Sequence, residues 1–270
     1  MLKRIVVALI LAPVLVALVL FAPEIYTALV CGVFCSFGAY ELLYSTGLVR
    51  HGRMLAYTMC MAFLVAMWSY FDCPRFAAVL GVLVFYVLLF GEMMISGLEI
   101  PFSKTAMCFA GGVIVPFLFC GLIRILGMGY GRYFIMIPFV AAFMPDIGAY
   151  FIGVFFGKHK LCPKISPKKT VEGLAGGLLF GMLGMIGYGA ILQYCFALSV
   201  NYIFMAVIGL VSALFSVFGD LSFSVIKRQT GIKDYGKLFP GHGGVLDRFD
   251  SVIIVTPLIE VMLELLPAVM

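Results

Sequence analysis

The chain has 270 residues, of which 64% are hydrophobic and 11% charged, with a mean hydropathy of +1.16 and a formal net charge of +5. Soluble proteins carry about 25% charged residues, and a water-facing globule of this length would need far more than the 18 basic and 13 acidic residues present, so a soluble fold is excluded. A disulfide scaffold is excluded too: the eight cysteines lie mostly inside apolar runs, with no C-x-x-C pair, and read as small buried side chains.

A helix needs about 20 apolar residues to cross a hydrocarbon core of about 30 Å, which makes the spans countable. The apolar runs predict an all-α, polytopic integral membrane protein with about nine transmembrane helices, near 5–21, 25–44, 55–71, 76–95, 107–126, 134–156, 171–192, 202–223 and 251–269. The first begins Met1-Leu2-Lys3-Arg4 like a signal peptide, but no small-residue cleavage site follows before Pro23 and Glu24, so it reads as an uncleaved helix. Glu41 and Glu92 fall near helix ends and read as solvated.

Asp146 follows Pro145 inside the sixth run. A charged Asp at midbilayer costs about 2.5 to 3.5 kcal/mol on insertion scales, so it should face a polar cavity or a partner. The same question attaches to Glu260 in the last run. In the seventh, Gly173, Gly177 and Gly181 recur every four residues and Gly184 and Gly187 continue the small surface, which suits close helix packing within the chain or a homodimer equally. Glu172 opens that helix, where a negative charge favours the helix dipole. The chain divides into N-terminal transmembrane helices over 1–130 and a C-terminal region over 131–270 that carries the chemistry.

Basic residues set the orientation. With the N-terminus in the cytoplasm, 15 of the 18 lysines and arginines fall on cytoplasmic segments, including Lys3 and Arg4, and the C-terminus lies on the opposite side. Two of those segments, 157–170 and 224–250, are long, and long connections are where functional loops are expected.

Four of the six aspartates, Asp220, Asp234, Asp247 and Asp250, lie within 219–250, interleaved with Lys227, Arg228, Lys233 and Arg248. Pro240-Gly241-His242-Gly243-Gly244 adds a stretch with little side-chain bulk, where backbone can turn sharply and approach a ligand. Carboxylates offer hard oxygen ligands to Mg²⁺, and lysine and arginine offer donors to phosphate. Together they describe a site for a metal-bound polyphosphate. No Walker-type or G-x-G-x-x-G sequence accompanies it, and none of the three histidines is spaced as a zinc ligand pair. His242 therefore reads as a hydrogen-bonding member of the glycine loop, and no nucleic-acid partner is expected.

The run Ser224-x-x-Lys227-Arg228, Lys233-Asp234, Pro240-Gly241-His242-Gly243-Gly244-x-x-Asp247-Arg248-x-Asp250 resembles the signature of the phosphatidate cytidylyltransferases, or CDP-diacylglycerol synthases. Upstream, Ser166-Pro167-Lys168-Lys169-Thr170-Val171-Glu172-Gly173 resembles a second family element, with Val171 where the family commonly has Trp. The resemblance is dense over 145–251, and the N-terminal half matches only in hydropathy.

The resemblance implies a multi-pass enzyme of the bacterial cytoplasmic (inner) membrane, among membrane lipids, that joins CTP and phosphatidate into CDP-diacylglycerol and pyrophosphate with Mg²⁺, and with a second cation, Mg²⁺ or K⁺. It implies Asp220 and Asp247 as leading metal ligands, Asp250 as a further ligand or a support for Arg248, and Asp146 as a candidate. Lys168, Lys169, Lys227, Arg228, Lys233 and Arg248 are assigned collectively to the triphosphate and lipid phosphate. Ser224 and Thr170 supply hydroxyls, and Asp234, His242, Gly243 and Gly244 complete the substrate-binding set.

Two other classes fit parts of the pattern. A transporter of an anionic metabolite would place its site near midbilayer between repeated halves, whereas this chain shows no evident inverted repeat and gathers its charges at one face. A cytidylyltransferase or kinase acting on another lipid would share the same charges.

Overall fold

The computed structural model describes residues 13–14, 16–97, 99–239, 241, 243–266 and 268–269. Seven helices among them are long and apolar enough to cross a membrane: α1 (Glu24–Ser45), α2 (Gly52–Phe71), α3 (Arg75–Ile95), α4 (Phe102–Leu126), α5 (Gly131–Phe156), α6 (Val171–Phe196) and α7 (Tyr202–Thr230). They coincide with the second to eighth expected spans. Most of the expected first span lies outside the described residues, although 13–14 and 16–21 are helical. The expected ninth corresponds to α8 (Leu246–Leu265), which begins earlier than expected, carries Asp247, Arg248, Asp250, Glu260 and Glu264, and is not among the seven.

The helix starts follow local chemistry. Pro23, Pro74 and Pro101 stand immediately before α1, α3 and α4, where a residue lacking an N–H removes no helical hydrogen bond. Thr170 caps α6 by accepting from the Gly173 N–H at 3.0 Å. The segment 157–170, expected as a long functional loop, contains a two-stranded antiparallel hairpin, β1 (Lys160–Cys162) and β2 (Ser166–Thr170), so the described fold is all-α apart from this ribbon.

The packing divides the chain into two units: one of residues up to Gly127 together with Gln229–Phe249, the other of Met128–Arg228 and Asp250 onward. In the first unit α1 and α2 approach closely, and a Cβ at Gly32 would stand 2.9 Å from the Phe63 ring. Glu92 is not solvated: it is 6% exposed, pairs with Arg53 at 2.9 Å and accepts from the Tyr57 hydroxyl at 3.2 Å. The aromatic pairs Phe34–Phe239, Phe34–Phe249 and Phe119–Phe249 fasten the 229–249 segment onto α1 and α4, and Tyr235 is fully buried.

In the second unit the glycines of α6 pack within the chain. A Cβ at Gly173, Gly177 or Gly181 would stand 2.9, 3.1 or 2.9 Å from the carbonyl oxygens of Ala149, Pro145 and Gly209 respectively. Gly187 meets nothing within 4 Å. Serines bridge the neighbouring helices, with Ser216 Oγ donating to Ala142 O at 3.2 Å and Ser251 Oγ to Ser216 O at 3.1 Å.

Candidate functional site

In the second unit an acidic and basic cluster is assembled from three separated stretches of sequence. Asp220 sits within α7 and Lys169 near the end of β2, and their side chains pair, Nζ to Oδ2, at 2.5 Å with both about three-quarters buried. Asp146 on α5 has Lys169 and Asp220 as charge neighbours, so the polar surroundings expected of an intramembrane Asp are present. Asp250 on α8 has Asp220, Lys227 and Asp146 around it; burial, and then the Asp220 charge, hold its carboxyl above the ordinary aspartate range. Three carboxylates thus face two ammonium groups.

The flanking residues are partly committed to structure. Ser224, one helical turn after Asp220, lies 3.5 Å from Asp220 Oδ1. Arg228 donates from Nε to the Ile165 carbonyl at 3.0 Å, tying the end of α7 to the hairpin turn. Thr170 is the helix cap, its oxygen committed to Gly173. Glu172 accepts from the backbone N–H groups of Lys158 and His159 and pairs with His159 Nδ1 at 2.6 Å, so it fixes the entry to the hairpin as well as lying at the α6 N-terminus. Lys168 is exposed beside Lys169.

In the first unit the glycine segment folds around Asp247. The Asp247 Oδ2 accepts from Tyr235 N at 2.7 Å and from Gly244 N at 3.0 Å, which closes the loop onto the first turn of α8. Gly241 and Gly243 have φ of 81° and 92°, conformations that L side chains rarely adopt, and Phe239 N bonds to Gly243 O at 3.0 Å across the turn. Lys233, Asp234 and Arg248 are exposed. His242 and Pro240 lie outside the described residues.

A family model described as the cytidylyltransferase family matches residues 2–266. The chain belongs to that family. It is 34% identical over 206 residues to the phosphatidate cytidylyltransferase of Bacillus subtilis, covering 76% of this chain and 75% of that protein. It is 41% identical over 133 residues to the enzyme of that name from Staphylococcus epidermidis and 39% to that from Staphylococcus haemolyticus, covering 49% of this chain and about half the length of those relatives.

For a cytidylyltransferase, the residues singled out by sequence fall into two groups. Asp146, Lys169, Asp220, Ser224, Lys227 and Asp250 are brought together in one unit; Lys233, Asp234, Gly243, Gly244, Asp247 and Arg248 belong to the loop of the other. Among the described residues no three His, Cys, Asp or Glu side chains converge closely enough to enclose a metal by themselves.

Glu41, like Glu92, is a residue that sequence reasoning misread. It is 3% exposed, and its two carboxylate oxygens accept from the consecutive backbone N–H groups of Val245 and Leu246, each at 3.0 Å. Nothing local to Glu41 marks this role. The glycines at 236 and 244 are its trace in the sequence, since a Cβ at either would run into the Glu41 carboxylate.

Proposed function

We propose that this cytidylyltransferase-family chain transfers the cytidylyl group of CTP to phosphatidate, with the cluster around Lys169 and Asp220 as the charge-handling part of its site. Family membership, and the reaction named for its relatives from Bacillus and Staphylococcus, support that reading. The single structural observation that carries it is the Lys169–Asp220 pair with Asp250 beside it, because the reaction's difficulty is electrostatic.

A phosphatidate oxygen forms a bond to the α-phosphorus of CTP while the bond from that phosphorus to the bridging oxygen of the β-phosphate breaks. CDP-diacylglycerol and pyrophosphate are the products. Both reactants are anions. A phosphomonoester with a second pKa of about 6 is already mostly dianionic at neutral pH, so no strong general base is required. The chain's work is to bind, align and neutralise. Lys169 and Lys227 supply positive charge to phosphate oxygens, and Arg228 and Arg248 supply planar forks suited to them.

The donor set fits Mg²⁺. Magnesium is usually held by one or two carboxylates plus substrate phosphates, and Asp220 and Asp250 are hard oxygen donors whose combined charge, with Asp146, exceeds that of the lysines beside them. Asp220 and Asp250 would hold it; it would supply neutralisation of charge developing on the phosphate oxygens. The sequence signature assigns Asp247 and Arg248 to this reaction as well. A second cation, Mg²⁺ or K⁺, belongs to this reading as well.

The same reading includes nine spans in a bacterial inner membrane, an N-terminus in the cytoplasm, and segments 157–170 and 224–250 on the cytoplasmic side, where CTP is found. The distribution of basic residues supports it.

Purified protein given α-labelled CTP, phosphatidate and Mg²⁺ should form lipid-linked cytidine. Uptake of label into sealed vesicles without a covalent product would favour transport instead, and product formed only with another lipid phosphate would reassign the substrate.

A further inference from the structure

We infer that Glu41, in the N-terminal half of the chain, is a positioning residue for the glycine loop and for the start of α8, and that it acts on catalysis through the residues that loop carries.

The first N–H groups of any helix have no partner within the helix and are ordinarily capped by a nearby Ser, Thr, Asp or Asn. The residue before α8 is Val245, one of the poorest capping types, and the Val245 and Leu246 N–H groups are buried. Glu41 supplies the missing acceptors from a residue more than 200 positions earlier, one oxygen to each N–H at 3.0 Å. Charge-assisted bonds of this kind are roughly twice as strong as neutral ones, and two consecutive donors on one carboxylate fix the peptide plane as well as its place.

The position of Glu41 is itself constrained. It opens a π-helical turn, Glu41–Ser45, at the end of α1, a distortion that occurs often at functional places in helices. Gly236 and Gly244 leave the space its carboxylate fills. The loop is therefore clamped by two carboxylates: Glu41 from α1 on Val245 and Leu246, and Asp247 from within on Tyr235 and Gly244. The residues so held immediately precede Asp247 and Arg248. A slack loop would move both.

Glu41→Gln keeps the volume but presents an amide that accepts at one end only, so one of the two N–H groups faces another donor. Glu41→Ala removes both acceptors. Backbone hydrogen exchange over 235–249 tests the geometry without reference to any reaction. Both variants should exchange faster there than the parent and unchanged elsewhere, and unchanged exchange over that segment in both would overturn the clamp.

The kinetic consequence rests on the cytidylyl-transfer reading. Glu41→Gln should lower kcat/KM for CTP at least tenfold and raise the Mg²⁺ concentration at half-maximal rate, while KM for phosphatidate and the melting temperature of the solubilised protein change little. Wild-type kinetics despite faster exchange would overturn the catalytic part. Coupling gives a second check. Gly236→Ala should be harmful in the parent, where its methyl meets Glu41, and nearly silent in Glu41→Ala, where that space is open. Equal effects in the two backgrounds would overturn the steric relation. A parent protein with no cytidylyl transfer would sink the proposed function and leave the exchange result standing.

Discussion

Lys169 Nζ and Asp220 Oδ2 meet at 2.5 Å, although one residue lies near the end of a β-hairpin and the other within α7. A partly exposed ion pair contributes about 0 to 1 kcal/mol to stability. The pair is therefore a weak reason for the fold and a strong reason to examine chemistry there.

Lys169→Gln tests that distinction. It should lower kcat/KM by at least about tenfold, equivalent to about 1.4 kcal/mol of transition-state stabilisation, with the melting temperature of the solubilised protein shifted by no more than about 3 °C. A large loss of stability with proportionate loss of active protein would make the pair structural.

Asp220→Asn and Asp250→Asn should nearly abolish activity while leaving folded protein, because each removes a hard anionic donor with little change in volume. The measurement is rate against Mg²⁺ concentration. Retained activity with unchanged Mg²⁺ dependence would remove these two residues from the metal site.

Asp247→Asn differs in kind, because Asp247 Oδ2 also holds Tyr235 and Gly244. It should lower activity and in addition loosen the loop, visible as faster proteolysis between 231 and 245. Lost activity with an unchanged cleavage pattern would assign Asp247 to chemistry alone.

Arg228→Lys conserves charge but loses the planar fork and the Nε bond to Ile165 O. A reduction in kcat/KM of at least about tenfold with normal membrane insertion is expected. Comparison with Arg228→Gln separates the two contributions: if Lys restores the wild-type rate, charge suffices and the bond to the hairpin is dispensable.

Glycines of α6 should differ sharply among themselves. Gly177→Val would press against the Pro145 carbonyl and cost about 1 to 3 kcal/mol or more, whereas Gly187→Ala, with open space around it, should be neutral or slightly stabilising. Thermal unfolding in detergent reads both, and equal effects would refute the packing of α6 on α5.

Hydropathy alone determined that this is a helical membrane protein, and placed seven helices near their observed ranges, because each span must satisfy its own backbone bonds in a solvent that offers none. The run from Ser224 to Asp250 likewise made the family legible, and the family model matches residues 2–266. Tertiary structure decided the rest. Glu41 looked like a solvated helix end because its partners are backbone N–H groups of a distant loop, and such bonds leave no residue-type signature where they are accepted. The bonds that Thr170 makes with Gly173 and Arg228 with Ile165 are likewise visible only in the fold, and the glycine stripe could not name its partner until α5 lay against it. Composition and spacing select which groups a site needs; the packing of distant segments selects which atoms those groups already hold.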